Sequence, residues 1–297
     1  MHAPTGLNYR CNYSIKDLAS NVRCDDEILL KKDGTKGEQY FLVSNPSGVW
    51  FNPFASSNDS LRFQYYDTSN RTLYVKYYVP LFGPALPAFS NAEKQNVVIQ
   101  ADSVFTWQSG EYISFFQEGV YKTISQKSDT AGIIVLRFHP DYPAVSQPGH
   151  LIFPLRYITM NVEYDHLMND TNPKLAVDSL WLRISGFNKE IAKQLISTFY
   201  NRVQDANLWF TTYKEGWMTD RGMILIVYGR PDHVFREIGK EVWTYNGNYD
   251  EQPVSFTFQK NENSFSSNDF VLQRNYFFLS SWNLQIYRWR HGLIDEL

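Results

Sequence analysis

Cysteine is almost missing from this sequence: 297 residues hold only Cys11 and Cys24. Neither stands in a CxxC, so a zinc ribbon or a dithiol redox motif has nothing to build on. Two readings stay open for the pair. They are either two unpaired thiols or a disulfide closing a short N-terminal loop in an oxidising compartment. Cys11 does not read as a lipid-attachment site, since Arg10 and no apolar run precedes it. Long apolar runs are absent too. No stretch approaches the roughly 20 apolar residues that a membrane helix needs. Met1-His2-Ala3-Pro4 carries neither a basic nor an apolar leader region. Either the protein is cytoplasmic or a targeting segment was removed ahead of this numbering.

Positive charge is scarce as well. Lys and Arg number 28 against 31 Asp and Glu, a net charge of −3. A nucleic-acid binder needs a basic face to neutralise phosphates, so nucleic acid is not an expected partner. Catalytic signatures are missing: there is no HExxH, GxSxG, Walker A or GxGxxG. The histidines His2, His139, His150, His166, His233 and His291 are scattered without ligand spacing. His139 and Asp141 read as a surface pair rather than a metal site. Glu163, Asp165, Asp170 and Asp178 read as a solvated acidic face, with a paired-carboxylate glycosidase as the weaker alternative. No catalytic residue, metal ligand or cofactor site is therefore expected.

What the chain has in plenty is aromatics, with 20 Tyr and 21 Phe. Flat rings pack well on pleated surfaces, which leans the composition toward β structure. Residues 1–40 are polar and turn-rich. Strand-like segments follow at Leu61–Tyr65, Arg71–Val79, Asn96–Thr106, Glu111–Phe116, Gly119–Ser125 and Gly132–Phe138. Short strands separated by Gly, Pro, Asn and Ser predict a β-sandwich. Pro80 to Pro87 predicts a loop, because Pro lacks the N–H a central strand needs. Pro140, Pro143, Pro148 and Gly149 mark a boundary, so the expected domains are 1–150 and 151–297. Leu151 to Glu163 reads as one more strand or as the connection.

Beyond the boundary the pattern turns helical. A helix is expected over Leu175–Ile184, opened by Pro173. After Asn188 as N-cap, Ile191, Leu195, Phe199, Val203, Ala206 and Phe210 recur at three- and four-residue steps. Strands return at Met223–Tyr228, Glu241–Tyr245, Val254–Gln259 and Phe270–Arg274. Leu279, Trp282, Ile286, Trp289 and Leu293 predict a closing helix. The expected fold class is mainly β plus α+β: an antiparallel sandwich, then a helix-plus-antiparallel-sheet unit with a C-terminal helix.

One ordered constellation stands out. Phe199, Tyr200, Arg202, Val203, Ala206, Asn207 and Phe210 lie on the long helix. Glu215-Gly216-Trp217-Met218-Thr219-Asp220-Arg221-Gly222 follows, then an apolar run ending in Tyr228-Gly229-Arg230-Pro231-Asp232, then Glu241, Trp243 and Tyr245. Over roughly residues 150 to 297 this resembles the GWxTD-domain family, and Pro154-Leu155-Arg156-Tyr157 also looks familial. The resemblance implies an exported, often lipid-anchored envelope protein of Bacteroidota-type bacteria, with a β-sandwich ahead of the motif. It implies no enzymatic chemistry. A looser likeness, of fold only, is to the small lipoprotein of the outer-membrane β-barrel assembly machine.

Every motif residue also has a structural reading. Gly216 fits a helix C′ position, and Trp217 a core residue folded back on the helix. Thr219 and Asp220 fit turn residues that bond nearby N–H groups. Arg221 fits a partner for Asp220 or a more distant carboxylate, and Gly222 a close backbone approach or an unusual φ. Met223 to Val227 reads as a strand buried on both faces, with Glu241 to Tyr245 as its antiparallel neighbour. Pro231 fits a turn, and Trp243 shares a face with Glu241 and Tyr245. The expected function is a non-enzymatic protein-docking module in an assembly at the outer membrane, located in the periplasm or on that membrane. The alternative is a carbohydrate-binding module using Trp50, Phe51, Phe54, Tyr65, Tyr66, Tyr77 and Tyr78.

Overall fold

The computed structural model describes residues 8–16, 23–31, 41–50, 52, 54–65, 69–80, 82–91, 100–128, 132–247 and 252–294; through residue 41 it describes the backbone alone. Within the stretch expected to be turns, β1 (Asn8–Lys16) and β2 (Arg23–Lys31) pair as an antiparallel hairpin. Local composition did not encode this cross-strand pairing. Its register sets Cys11 opposite Ile28 and Cys24 opposite Ile15. The cysteines are four rungs apart, about 13 Å at ~3.3 Å per residue, whereas a disulfide joins Cα atoms no more than ~7 Å apart. This pairing does not bring Cys11 and Cys24 together.

The sandwich follows. One sheet has the order β4 (Gly48–Val49), β3 (Phe41–Asn45), β6 (Leu61–Tyr65), β9 (Tyr112–Ile113). The other runs β5 (Phe54–Ala55), β11 (Ile133–Arg137), β10 (Gly119–Ile124), β7 (Thr72–Tyr78), β8 (Ser103–Gln108). All pairings are antiparallel except β5 with β11. Alternation sends Leu61 and Phe63, then Leu73 and Val75, into one core with Val43, Ile113, Tyr121 and Val135. The strand expected at Asn96–Thr106 starts later, at Ser103, and residues 92–99 lie outside the described residues. The other face of β10 is covered as well. Val120 and Leu136 join Tyr78 and Phe138 in a second cluster, against which Tyr142, Tyr213 and Phe265 pack. All six β10 residues are buried.

The expected linker turns out to be structured. Pro148 opens α1 (Pro148–Leu155), its missing N–H harmless at a helix start, and α2 (Asn161–Met168) follows. Leu151 to Glu163 therefore runs from α1 through a turn over 156–160 into α2 and holds no strand. Asn172 caps α3 (Pro173–Ile184) by accepting from Leu175 N at 3.2 Å, and Asn188 caps α4 (Lys189–Phe210) in the same way. The apolar stripe of α4 is buried as its spacing predicts, through Leu195, Phe199, Val203 and Ala206.

Two expectations fail at the motif. The helix stops at Phe210, and Gly216 instead begins a 3₁₀ turn, Gly216–Met218. Met223 to Tyr228 is not a strand. It forms α5 (Asp220–Tyr228), capped by the Thr219 side chain and closed at Gly229, whose φ is 83°. All residues from Asp220 to Val227 are buried. A helix buried all round has no polar face, so its apolar run carries no helical period and reads like an inner strand.

The C-terminal sheet is an antiparallel meander of β12 (His233–Glu237), β13 (Lys240–Tyr245), β14 (Val254–Lys260) and β15 (Phe270–Leu272). β13 thus lies between β12 and β14, not beside residues 223–228. Trp243, Phe256, Phe258 and Leu272 pack with α3, α4, α5 and α6 (Phe278–His291) in the main core. Ala85 and Ala88 of the Pro-rich segment belong to this core too. Ala85 N donates to Met218 O at 2.9 Å and Asn275 N to Ala88 O at 3.1 Å. The segment is a strap laid on the C-terminal unit.

Candidate functional site

α5 is the axis of the motif, and the named residues gather at its two ends. At its N-terminus Thr219 Oγ1 donates to Gly216 O at 2.7 Å and accepts from Gly222 N at 3.1 Å. The two glycines permit a backbone approach that no side chain allows. A Cβ on Gly216 would fall 1.9 Å from Ala206 O of α4, and one on Gly222 would fall 1.9 Å from Gly216 O. Asp220, beside the helix N-terminus where negative charge is favoured, accepts from Leu272 N at 2.7 Å. It is gripped by Arg274, whose Nη1 is 3.1 Å from Oδ2 and whose Nη2 meets Oδ1.

Arg221 turns the other way. Its guanidinium lies between the rings of Phe210 and Phe270, 4.8 and 4.4 Å from their centroids. Nη1 donates to Glu241 Oε1 at 3.1 Å and Nη2 to Asn268 O at 2.6 Å. Glu241 also accepts from Trp243 Nε1 at 3.2 Å and from Arg236, at 3.4 Å. Burial pulls the Arg221 guanidinium below its usual value, and Glu241 pulls it back. Asp269 is buried next to this network and pushed up by desolvation, opposed by a hydrogen bond from Asn261.

Trp217 is 4% exposed. Its N–H donates to Asn207 Oδ1 at 3.0 Å, its ring Nε1 to Glu215 Oε2 at 2.8 Å, and its carbonyl accepts from Tyr157 at 3.0 Å. Asn207 is wholly buried and also donates to Pro143 O at 2.9 Å. Tyr142 reaches Asn207 O at 3.1 Å, and burial holds its phenol well above the usual range, hence neutral. Most buried polar groups around Gly216, Trp217, Thr219, Asp220 and Arg221 are thus satisfied by one another, with Arg274 Nε and the ring nitrogens of His139 left without a hydrogen bond. That is the pattern of a structural network.

At its other end α5 opens onto a surface cleft of about 700 Å³. Tyr228 bonds Ser281 of α6 at 2.9 Å, and Tyr245 donates to Gly229 O at 2.9 Å. Asp232 accepts from Asn246 N at 2.7 Å. Pro231 lies in the bend that leads from Gly229 into β12. Arg202 comes across from α4, 7% exposed, with Nη1 on Ile226 O at 3.2 Å and its guanidinium 5.1 Å from the Trp289 ring. A Cβ on Gly229 would lie 2.7 Å from Arg202 Nη2, and its φ of 83° disfavours a side chain there in any case. Arg230 and Arg288 complete the basic lining.

The motif therefore splits. Gly216, Trp217, Thr219, Asp220, Arg221, Gly222, Glu241 and Trp243 are core. Tyr228, Asp232 and Tyr245 line the cleft. Sequence reasoning missed Tyr142, Asn268, Asp269 and Arg274, which carry no spacing signal; a basic residue just past a strand is a faint hint only beside the buried acid it serves. Two of the four acidic residues are engaged in ion pairs, Glu163 with Arg183 at 2.8 Å and Arg290 at 2.6 Å and Asp178 with Lys174 at 2.7 Å, while Asp165 and Asp170 are exposed. His139 is buried 4.7 Å from the His150 ring, with Glu215 at 3.7 Å, and is no surface residue. Among the described residues no group of three or more His, Cys, Asp or Glu could hold a metal ion. None of their helices is long and apolar enough to cross a membrane.

A β-sandwich joined to a helix-wrapped antiparallel meander defines an α+β protein whose signature residues build its core. The chain belongs to the GWxTD domain family: that family's model matches residues 119–291, more than half of its length. The match opens at the first residue of β10, so it reaches into the sandwich beyond the stretch the motif alone suggested. Searches of curated proteins and of solved structures return no match.

Proposed function

We propose that this protein is a non-enzymatic docking module of the cell envelope, working in an assembly at the outer membrane. The observation that carries the reading is β12. Among the described residues it is an edge strand, paired on one side only, with β13. All five of its residues are exposed, Val234 by 41% and Phe235 by 59%, and Ile238 in the following turn by 70%. A strand bare on both faces and at its edge is a template for an added strand. The occupant is an extended segment of an envelope protein. The envelope location rests on the family resemblance alone.

The sugar-binding alternative gains no support from the packing of its aromatics. Trp50, Tyr65 and Tyr77 pack on the sandwich core, while Tyr78 and Phe54 belong to the cluster on the opposite face. Phe51 and Tyr66 lie outside the described residues. The test is capture of envelope partners from solubilised membranes by the parent chain and by Phe235→Lys. Reproducible capture by the parent and its loss in the variant is expected. Equal capture by both, or none by either, overturns the reading.

A further inference from the structure

The free edge of β12 has a definite hydrogen-bonding pattern. Lys260 N donates to Gly239 O at 2.8 Å, so these two residues form a hydrogen-bonded pair at the start of the β13–β14 ladder. Alternation then turns the backbones of Glu241 and Trp243 toward β14, and those of Lys240, Val242 and Thr244 toward β12. Their partners on β12 are Glu237, Phe235 and His233. The N–H and C=O groups of Val234 and Arg236 therefore point away from β13. Among the described residues no backbone hydrogen bond reaches them. Edges are commonly guarded by a lysine, a proline or a bulge. β12 reads HVFRE and pairs without interruption, so it has none of these. The pattern is also self-complementary. Antiparallel pairing about a two-fold axis through Phe235 sets Val234 opposite Arg236 of a second copy, so the outward groups of each meet those of the other. It sets Phe235 against its own copy, and His233 against Glu237, whose carboxylate accepts from an imidazole N–H. An axis through Arg236 would oppose two guanidiniums, which repel. An axis through Val234 would draw on Asp232, which precedes the strand and is tied to Asn246 N at 2.7 Å.

We propose that β12 pairs with β12 of a second copy of this chain, antiparallel and centred on Phe235, so that two four-stranded meanders become one continuous sheet. The contact is isologous, as the interfaces of closed homodimers are. A segment of unrelated sequence would meet the outward backbone groups, but not the match of Phe235 with itself and of His233 with Glu237. Five residues a side make a small interface, of the weak and reversible class. The inference rests on the docking reading and names the occupant of its edge.

The test is sedimentation velocity of the full chain over a concentration series, with thermal melts to show that each variant folds. A reversible monomer–dimer equilibrium is expected. Val234→Pro removes an outward N–H and leaves every β12–β13 hydrogen bond in place, since an edge strand tolerates proline there. It should weaken association about tenfold or more, because the two-fold makes the loss twice. Phe235→Lys and Phe235→Glu each set like charges opposite one another and should each stay monomeric. Mixed together, these two variants should associate again, which only a register that opposes the two copies of residue 235 allows. Lys174→Gln, on α3, should leave the equilibrium unchanged. A chain that is monomeric throughout, a dimer indifferent to the β12 variants, or a Lys–Glu mixture that fails to associate overturns the proposal. So does growth beyond a dimer, since two-fold pairing uses up the edge. A monomeric chain that still captures other envelope proteins through Phe235 removes the second copy and leaves the docking reading. A dimer with the expected pattern that captures no other protein removes the assembly reading and leaves the pairing.

Discussion

At the scale of single residues, Gly216 and Gly222 are needed for contact rather than for conformation. The backbones of Ala206, Gly216 and Gly222 stack so closely that a methyl group has no space at either glycine. The neighbours are backbone atoms and cannot swing aside. Gly216→Ala and Gly222→Ala should therefore each cost about 1–3 kcal/mol or more, as overpacking of a tight core does. Gly149→Ala, in α1 with open space around its Cβ, should be neutral or slightly stabilising. Denaturant midpoints of the three variants check this, and equal midpoints would refute it. Trp217 and Trp243, 4% and 2% exposed, should cost about 3–5 kcal/mol when cut to Ala, against little change for Lys260→Ala. Melting of both Trp variants with the parent would instead mark them as contact residues. The sequence named these residues correctly as core. It misjudged why Gly216 is glycine, because a helix stop and a close crossing look alike in one dimension.

At the scale of elements, Arg221 and Glu241 join α5 to β13. Both side chains are nearly buried, at 5% and 9% exposure. Taking two charges from water is costly, and their attraction offsets that only while both are present. Glu241→Gln leaves the guanidinium between Phe210 and Phe270 without its counter-ion. The expected loss is about 3–5 kcal/mol, the range for breaking a buried pair, read by denaturant unfolding. A change under about 1 kcal/mol, the range of surface pairs, would mean that Asn268 and Arg236 already satisfy the two partners. Legibility at this scale depended on solvent. α4 and α6 border water on one side, so their stripes were readable. β6, β7, β13 and β14 alternate for the same reason. α5 is buried from Asp220 to Val227 and was read as a strand. β12 was missed for the opposite reason: with both faces exposed, Val234 and Phe235 alternate against nothing. The cleft was invisible in the sequence because its arginines come from α4, the bend before β12 and α6.

At the scale of the whole molecule, the two expected units do not stand apart. β10 is buried on both faces, and Lys122 on it donates to Ser264 O at 3.1 Å with Phe265 beneath its ammonium, at 5.4 Å. Tyr213 and Phe265 face Tyr78 across the joint, and the Ala85–Ala88 strap crosses it as well. This joint has a pH signature. Burial pushes the phenols of Tyr213 at the joint and Tyr121 in the sandwich core up to about 12, against 10.0 in an open chain. Between pH 10 and 12 the folded state therefore keeps protons on these tyrosines that the unfolded state has lost. Stability from them is complete below pH 10 and falls as pH rises toward 12. Lys214 works in the opposite sense: burial lowers its ammonium, so the unfolded chain holds the extra proton just below 10.5 and stability rises with pH there. Lys122 is lowered by burial too, so two lysines oppose a larger set of tyrosines, since Tyr142, Tyr157, Tyr200 and Tyr228 are also pushed up by burial. Denaturant midpoints should hold up to about pH 10 and then drop steeply. Tyrosinate absorbance should rise in step with unfolding, and Tyr213→Phe should make the drop shallower. Because β10 serves both cores, loss of tertiary signal from the sandwich and from the tryptophans of the C-terminal unit should coincide. Tyrosinate absorbance that rises fully while the chain stays folded would disprove the burial of these phenols. Two separate alkaline transitions would disprove the shared core.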